Sequence, residues 1–219
     1  MNLRKEQQID LNERLDQKWS KITHAIGFAF FFILSFPFVF YVSTVQESPW
    51  CVFGVVIFCF AVLGVYASST LYHANFYTKD MMKYRRWDHY FIYLLIAGTN
   101  TPFVLANLEG WTSISILTVF WALVATGIYL KAFYFNRVAW ISLPLYLVMG
   151  WLGVLTIFFA YPSMSYESIM WLLIGGATYT IGTIFYNGEH MKYNHTIWHF
   201  FVMGGTLSHY ISLYYLFSA

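Results

Sequence analysis

Seven histidines punctuate a chain that is otherwise poor in ionisable groups. His195 and His199 stand at i, i+4, so on a helix both imidazoles leave one face a turn apart and can bind one metal ion. Ser69 and His73 share that spacing in an earlier segment. A third imidazole from His73 completes a three-histidine set with an open fourth position, the arrangement of catalytic rather than structural zinc. Neutral nitrogen ligands suit Zn²⁺, which lowers the pKa of a bound water to about 7. Asp88 can hydrogen-bond such a water or take its proton, and Ser69 can steady the intermediate. The i, i+4 pair alone carries little, because histidines also hydrogen-bond between membrane helices. Three imidazoles and a carboxylate at one depth carry more.

The other histidines read differently. His209 lies ten residues beyond His199, about 15 Å along a helix axis, too far to share the ion, and is expected to bond between helices. His24 and His89 are expected to support the site or the fold, and His190 to be a solvated loop residue. Cys51 and Cys59 fall in one apolar run and read as packing residues, not a disulfide framework.

The elements that position these groups follow from composition. Of 219 residues, 59% are hydrophobic and 10% charged, against roughly 25% charged in a soluble domain. An aromatic content of 22% excludes disorder, and a net charge of +2 gives no basis for a nucleic-acid partner. An all-α, polytopic membrane protein is left. Residues 1–21 mix Arg4, Lys5, Arg14, Lys18 and Lys21 with Glu6, Asp10, Glu13 and Asp16. The segment is too long and too acidic for a signal-peptide n-region. It reads as a cytoplasmic amphipathic helix against the membrane surface, with Trp19 at headgroup level.

Residues 22–217 then form a domain of seven expected transmembrane helices, at about 22–45, 50–74, 86–107, 111–131, 138–160, 168–187 and 195–217, each near the roughly 20 residues a span requires. Turn and polar signals mark the breaks: Gln46 to Pro49, Asn75 to Arg85, Asn107 to Gly110, Asn136-Arg137, Tyr161 to Ser163 and Asn187 to Asn194. On this count every basic residue falls on one side. Five precede the first span; Lys79, Lys83, Arg85 and Arg86 follow the second; Lys131 and Arg137 follow the fourth; Lys192 follows the sixth. The bias of basic residues toward the cytoplasm then predicts a cytoplasmic N-terminus and a C-terminus outside. Arg85 and Arg86 themselves read as headgroup contacts. Gly98, Gly175-Gly176 and Gly204-Gly205 suggest close helix contacts, and Pro102 a kink in the third helix.

The ordered set of motifs resembles the hemolysin III family, within the progestin and adipoQ receptor superfamily, over residues 16–217. Its pieces are Thr23-His24 with Gly27, Ser69-Thr70-Leu71-Tyr72-His73, Arg86-Trp87-Asp88-His89 and the run Leu95 to Pro102. Phe185-Tyr186 and His195-Thr196-Ile197-Trp198-His199 follow, ending in His209. The resemblance implies seven helices and a zinc ion near the cytoplasmic face, with His73, His195 and His199 as ligands. Asp88 matches the acidic position beside the zinc-bound water, and Ser69 the serine of the S-x-x-x-H motif. The superfamily also holds the alkaline ceramidases, zinc-dependent lipid amide hydrolases with the same constellation. One departure is Asp16 and Ser20, where the family tends to have Glu and Asn.

Three functions compete. A zinc-dependent hydrolase of a lipid amide or ester, in the cell (plasma or inner) membrane, uses the open metal position on a lipid arriving laterally. A receptor or regulator of membrane state uses zinc only to tie helices together. A cytolytic pore-former is disfavoured, because a toxin must be soluble before it inserts and this chain is too apolar for that.

Overall fold

The computed structural model describes residues 2–161, 163–186 and 191–218, with side-chain surroundings from Leu11 onward. These form eight helices: α1 (Asn2–Val45), α2 (Pro49–Ala74), α3 (Met81–Asn107), α4 (Gly110–Tyr134), α5 (Ala139–Trp151), α6 (Gly153–Ala160), α7 (Tyr166–Tyr186) and α8 (Asn194–Ser218). Pro49 sits in the first turn of α2, where its missing N–H costs nothing. Gly110 opens α4 at φ 57, a left-handed conformation that glycine adopts without a Cβ clash. α5 and α6 are one apolar stretch interrupted at Leu152.

Neighbouring helices close a ring: α1 packs on α2, α2 on α3, α3 on α5 and α6, α5 on α7, α7 on α8, and α8 back on α1. α4 lies outside the ring, against α3. The main core is the α1–α2–α8 side, where Phe31, Val55, Phe58, Tyr66 and Leu213 are almost wholly buried. Where α7 meets α8 the backbones approach closely. A Cβ on Gly205 would strike the Tyr179 ring, and one on Gly175 the His209 ring. Gly176 and Gly204 are not crowded in this way. Outward, the bundle shows Ile33, Phe36, Phe40 and Phe158, each more than 60% exposed, a surface suited to hydrocarbon and not to water.

The expectation of seven spans is corrected. Among the described residues, five helical stretches are long and apolar enough to cross a membrane: Leu11–Val45, Pro49–Ala74, Gly110–Tyr134, Ala139–Ala160 and Tyr166–Tyr186. α3 and α8, with 27 and 25 residues, have the length but not the apolarity. α3 carries Arg85, Arg86, Asp88 and Asn100, and α8 carries three imidazoles among Asn194, Thr196, Thr206, Ser208 and Ser212. Both turn many of these groups inward, where neighbouring helices rather than lipid surround them. The sidedness of the basic residues presupposed seven crossings, so the opposite placement of the termini falls with that count. What stands is an all-α fold of several long apolar helices, as in a multi-pass membrane protein.

Candidate metal centre

His73 occupies the last turn of α2, while His195 and His199 occupy the first two turns of α8. Tyr193, at φ 61, turns the chain into that helix immediately before them. The three rings form a nearly equilateral triangle, with centroids 4.9 Å apart for His73–His195, 5.0 Å for His73–His199 and 4.8 Å for His195–His199. One nitrogen from each lies within 4.8 Å of the others, so the cluster can hold a metal ion.

Two of the rings are held in the tautomer a metal needs. The Nδ1–H of His73 donates to Oε1 of Gln17 at 2.6 Å, which leaves Nε2 as a bare lone pair, buried and without a partner. Nδ1 of His199 lies 3.1 Å from the backbone oxygen of Ser20 and 3.1 Å from Oγ1 of Thr23. A carbonyl can only accept, so the proton is on Nδ1 and Nε2 is free to ligate. Such orienting partners fix ring direction and raise ligand basicity. Asp16 secures the start of α8 itself: its Oδ1 accepts from Oγ1 of Thr196 at 2.6 Å and from the Thr196 N–H at 3.1 Å. That satisfies one of the N–H groups left open at a helix start.

Beside the triangle, the buried Ser69 hydroxyl is directed at the Asp88 carboxylate. Asp88 lies in the second turn of α3, outside the five apolar stretches. Burial raises its carboxyl to about 7, against the opposing pull of Arg85 and the Ser69 hydroxyl. A cavity of about 420 Å³ opens here, with Ser69, Asp88, His195 and His199 on its wall. It continues inside the ring of helices between Leu95, Ile157, Leu172 and Val202. The arrangement combines a cluster fit for a cation, a carboxylate within the same wall, and an apolar chamber leading away from both.

A family model described as haemolysin-III related matches residues 15–210. The chain belongs to that family. It is 39% identical to the hemolysin-3 homolog of Bacillus subtilis (strain 168) over 190 residues, 84% of this chain and 86% of that one. It is 37% identical to hemolysin-3 of Bacillus cereus, covering 84% of each. A more distant relative is the monocyte to macrophage differentiation factor of Homo sapiens, 24% identical over 72% of this chain and 68% of that one. No solved structure matches significantly.

In this haemolysin-III-related chain the remaining histidines sort by surroundings. The His24 ring stacks on His199 at 3.4 Å and 12°, and neither of its nitrogens has a partner. His89 meets the Tyr146 hydroxyl through Nδ1 at 3.0 Å. His209 stands apart from the triangle and bonds across to the backbone of Leu172 on α7, an interhelical bond as expected. His190 lies outside the described residues. Cys51 and Cys59 are buried, free and part of the core.

Gln17 is the neighbour of the cluster that the sequence did not bring forward; Thr23 and Ser20 stood in it only as motif positions, without the contact to His199 that the structure gives them. Asp16, Ser20, Thr23 and Gly27 follow one another at helical intervals, a stripe that enters the apolar part of α1 on its inner face. That stripe was the available signal, and it was masked by the charged residues around it.

Proposed function

We propose that this chain is a zinc-dependent hydrolase of the cell membrane that cleaves an amide or ester bond in a lipid. The carrying observation is the union of three imidazoles, two with their proton fixed on the far nitrogen, and an apolar cavity reaching two of them, His195 and His199. Three neutral nitrogens suit Zn²⁺ over hard cations. Bound there, zinc supplies Lewis acidity toward a carbonyl oxygen and toward water. The cavity takes the lipid chain and keeps its cleavable carbonyl beside His195 and His199. Asp88 accepts the proton of the attacking water and returns it to the leaving amine or alkoxide. Ser69 and Arg85 orient that carboxylate and hold its charge. The reading is supported by the likeness of this constellation to that of the alkaline ceramidases, noted from the sequence.

The test pairs metal analysis with lipid analysis. Detergent-purified wild type is expected to carry about one zinc per chain. Membranes holding it should lose a lipid amide or ester that accumulates with His195→Ala and with Asp88→Asn. Asp88→Asn should retain its zinc. An unchanged lipid profile across all three, with zinc bound in wild type, would instead assign the metal a structural role in a receptor or regulator.

A further inference from the structure

The cavity does not end at the imidazoles. Ten residues of α8 separate His199 from His209, a rise of about 15 Å. Twelve residues of α3 separate Asp88 from Asn100, about 18 Å, so both reach the wall at similar depth. Apolar side chains line the way between. At the far end three polar residues return to the wall, Thr99, Asn100 and His209, each less than 8% exposed.

Two acceptors among them have no donor. The Asn100 amide donates through Nδ2 to the Ile96 carbonyl at 2.9 Å, while its Oδ1 has no partner. Gly153 leaves the space beside that oxygen, because a Cβ there would fall 2.7 Å from it. His209 gives its ring N–H to the Leu172 backbone, while Nδ1 has no partner. With its proton on the other nitrogen, Nδ1 is a bare lone pair. Two buried acceptors without donors are uncommon in a folded protein and call for one.

We propose that the far end of the cavity recognises a hydrogen-donating group, a hydroxyl, carried partway along the lipid chain, whose single proton goes to Oδ1 of Asn100 or to Nδ1 of His209. The inference rests on the reading that a lipid occupies the cavity with its carbonyl at the imidazoles. A carboxylate or phosphate would set lone pairs against lone pairs. A plain alkyl chain would leave both acceptors unmatched. The spacing calls for a hydroxyl about 15 Å from the carbonyl.

The experiment compares two N-acylethanolamines of equal chain length, stearoyl and mid-chain hydroxystearoyl. Binding to full-length purified protein is measured by displacement of a fluorescent fatty amide, in wild type and in Asp88→Asn. The hydroxylated chain is expected to bind about tenfold tighter, the effect of one hydrogen bond to an otherwise unmatched acceptor. Asn100→Leu, which keeps the branching of the side chain and removes the acceptor, should bring the ratio close to one, and His209→Phe should lower it. Equal binding of the two chains by wild type overturns the proposal without recourse to any variant. So does a preference untouched by both substitutions. A hydroxyl preference in a protein that cleaves neither amide upholds this subsite and counts against hydrolysis of such amides. Cleavage of both amides without preference does the reverse.

Discussion

α4 and α8 are each 25 residues long, yet they have opposite characters. α4 is apolar throughout, and only 22% of its most apolar stretch is buried. It displays Trp111 and Phe133, 82% and 70% exposed. α8 falls short of that apolarity and buries His199, Thr206, Ser208 and Ser212. Ser212 donates to the Ser168 carbonyl at 2.6 Å, and Thr206 receives the Tyr66 hydroxyl at 2.9 Å. Between these two helices, apolarity goes with an outward face; α2 differs from both, being the most apolar stretch and yet 61% buried within the bundle. Of the helices that bring side chains to the candidate site, α3 and α8 have exchanged apolarity for polar contacts with their neighbours, while α2 keeps it and adds Ser69 and His73 only near its end.

The sharpest way to break this contrast is truncation on each helix. His199→Ala is expected to drop metal from about one ion per chain to almost none by elemental analysis, whereas Phe133→Ala on α4 should leave it unchanged. Next in size is Gln17→Leu, which removes the acceptor behind His73. It should weaken metal affinity about 10–100-fold in a chelator competition, the usual cost of losing an orienting partner. Gly205→Leu forces a side chain into Tyr179. Overpacking of this kind costs about 1–3 kcal/mol, read as a lower thermal midpoint in detergent, while Gly176→Ala, which meets nothing nearby, should not move it. The smallest effect belongs to Thr23→Val. The Ser20 carbonyl still holds the His199 proton, so the loss should stay near 1 kcal/mol of metal affinity.

How far the sequence spoke depends on what kind of regularity a group obeys. His195 and His199 were legible because a helix repeats every 3.6 residues, and His73 because its segment ends at the same depth. Most helix bounds were legible too, since turn residues interrupt long apolar runs. The number of membrane crossings was not, because sorting basic residues by loop says nothing about how apolar α3 and α8 are along their length. Gln17 was hidden for a related reason. In a segment dense with Lys, Arg, Asp and Glu, an inward amide looks like another solvated side chain until α2 and α8 are seen packed against it. The interruption between α5 and α6 was likewise invisible in a continuous hydrophobic stretch.

The bonds from Asp16, Ser20 and Thr23 to Thr196 and His199 join positions 176 to 180 residues apart. The first helix thus waits through the synthesis of nearly all the others before its polar stripe meets its counterpart. A cation gripped by His73, His195 and His199 together could therefore be taken up only once α8 had been made and packed against α1 and α2.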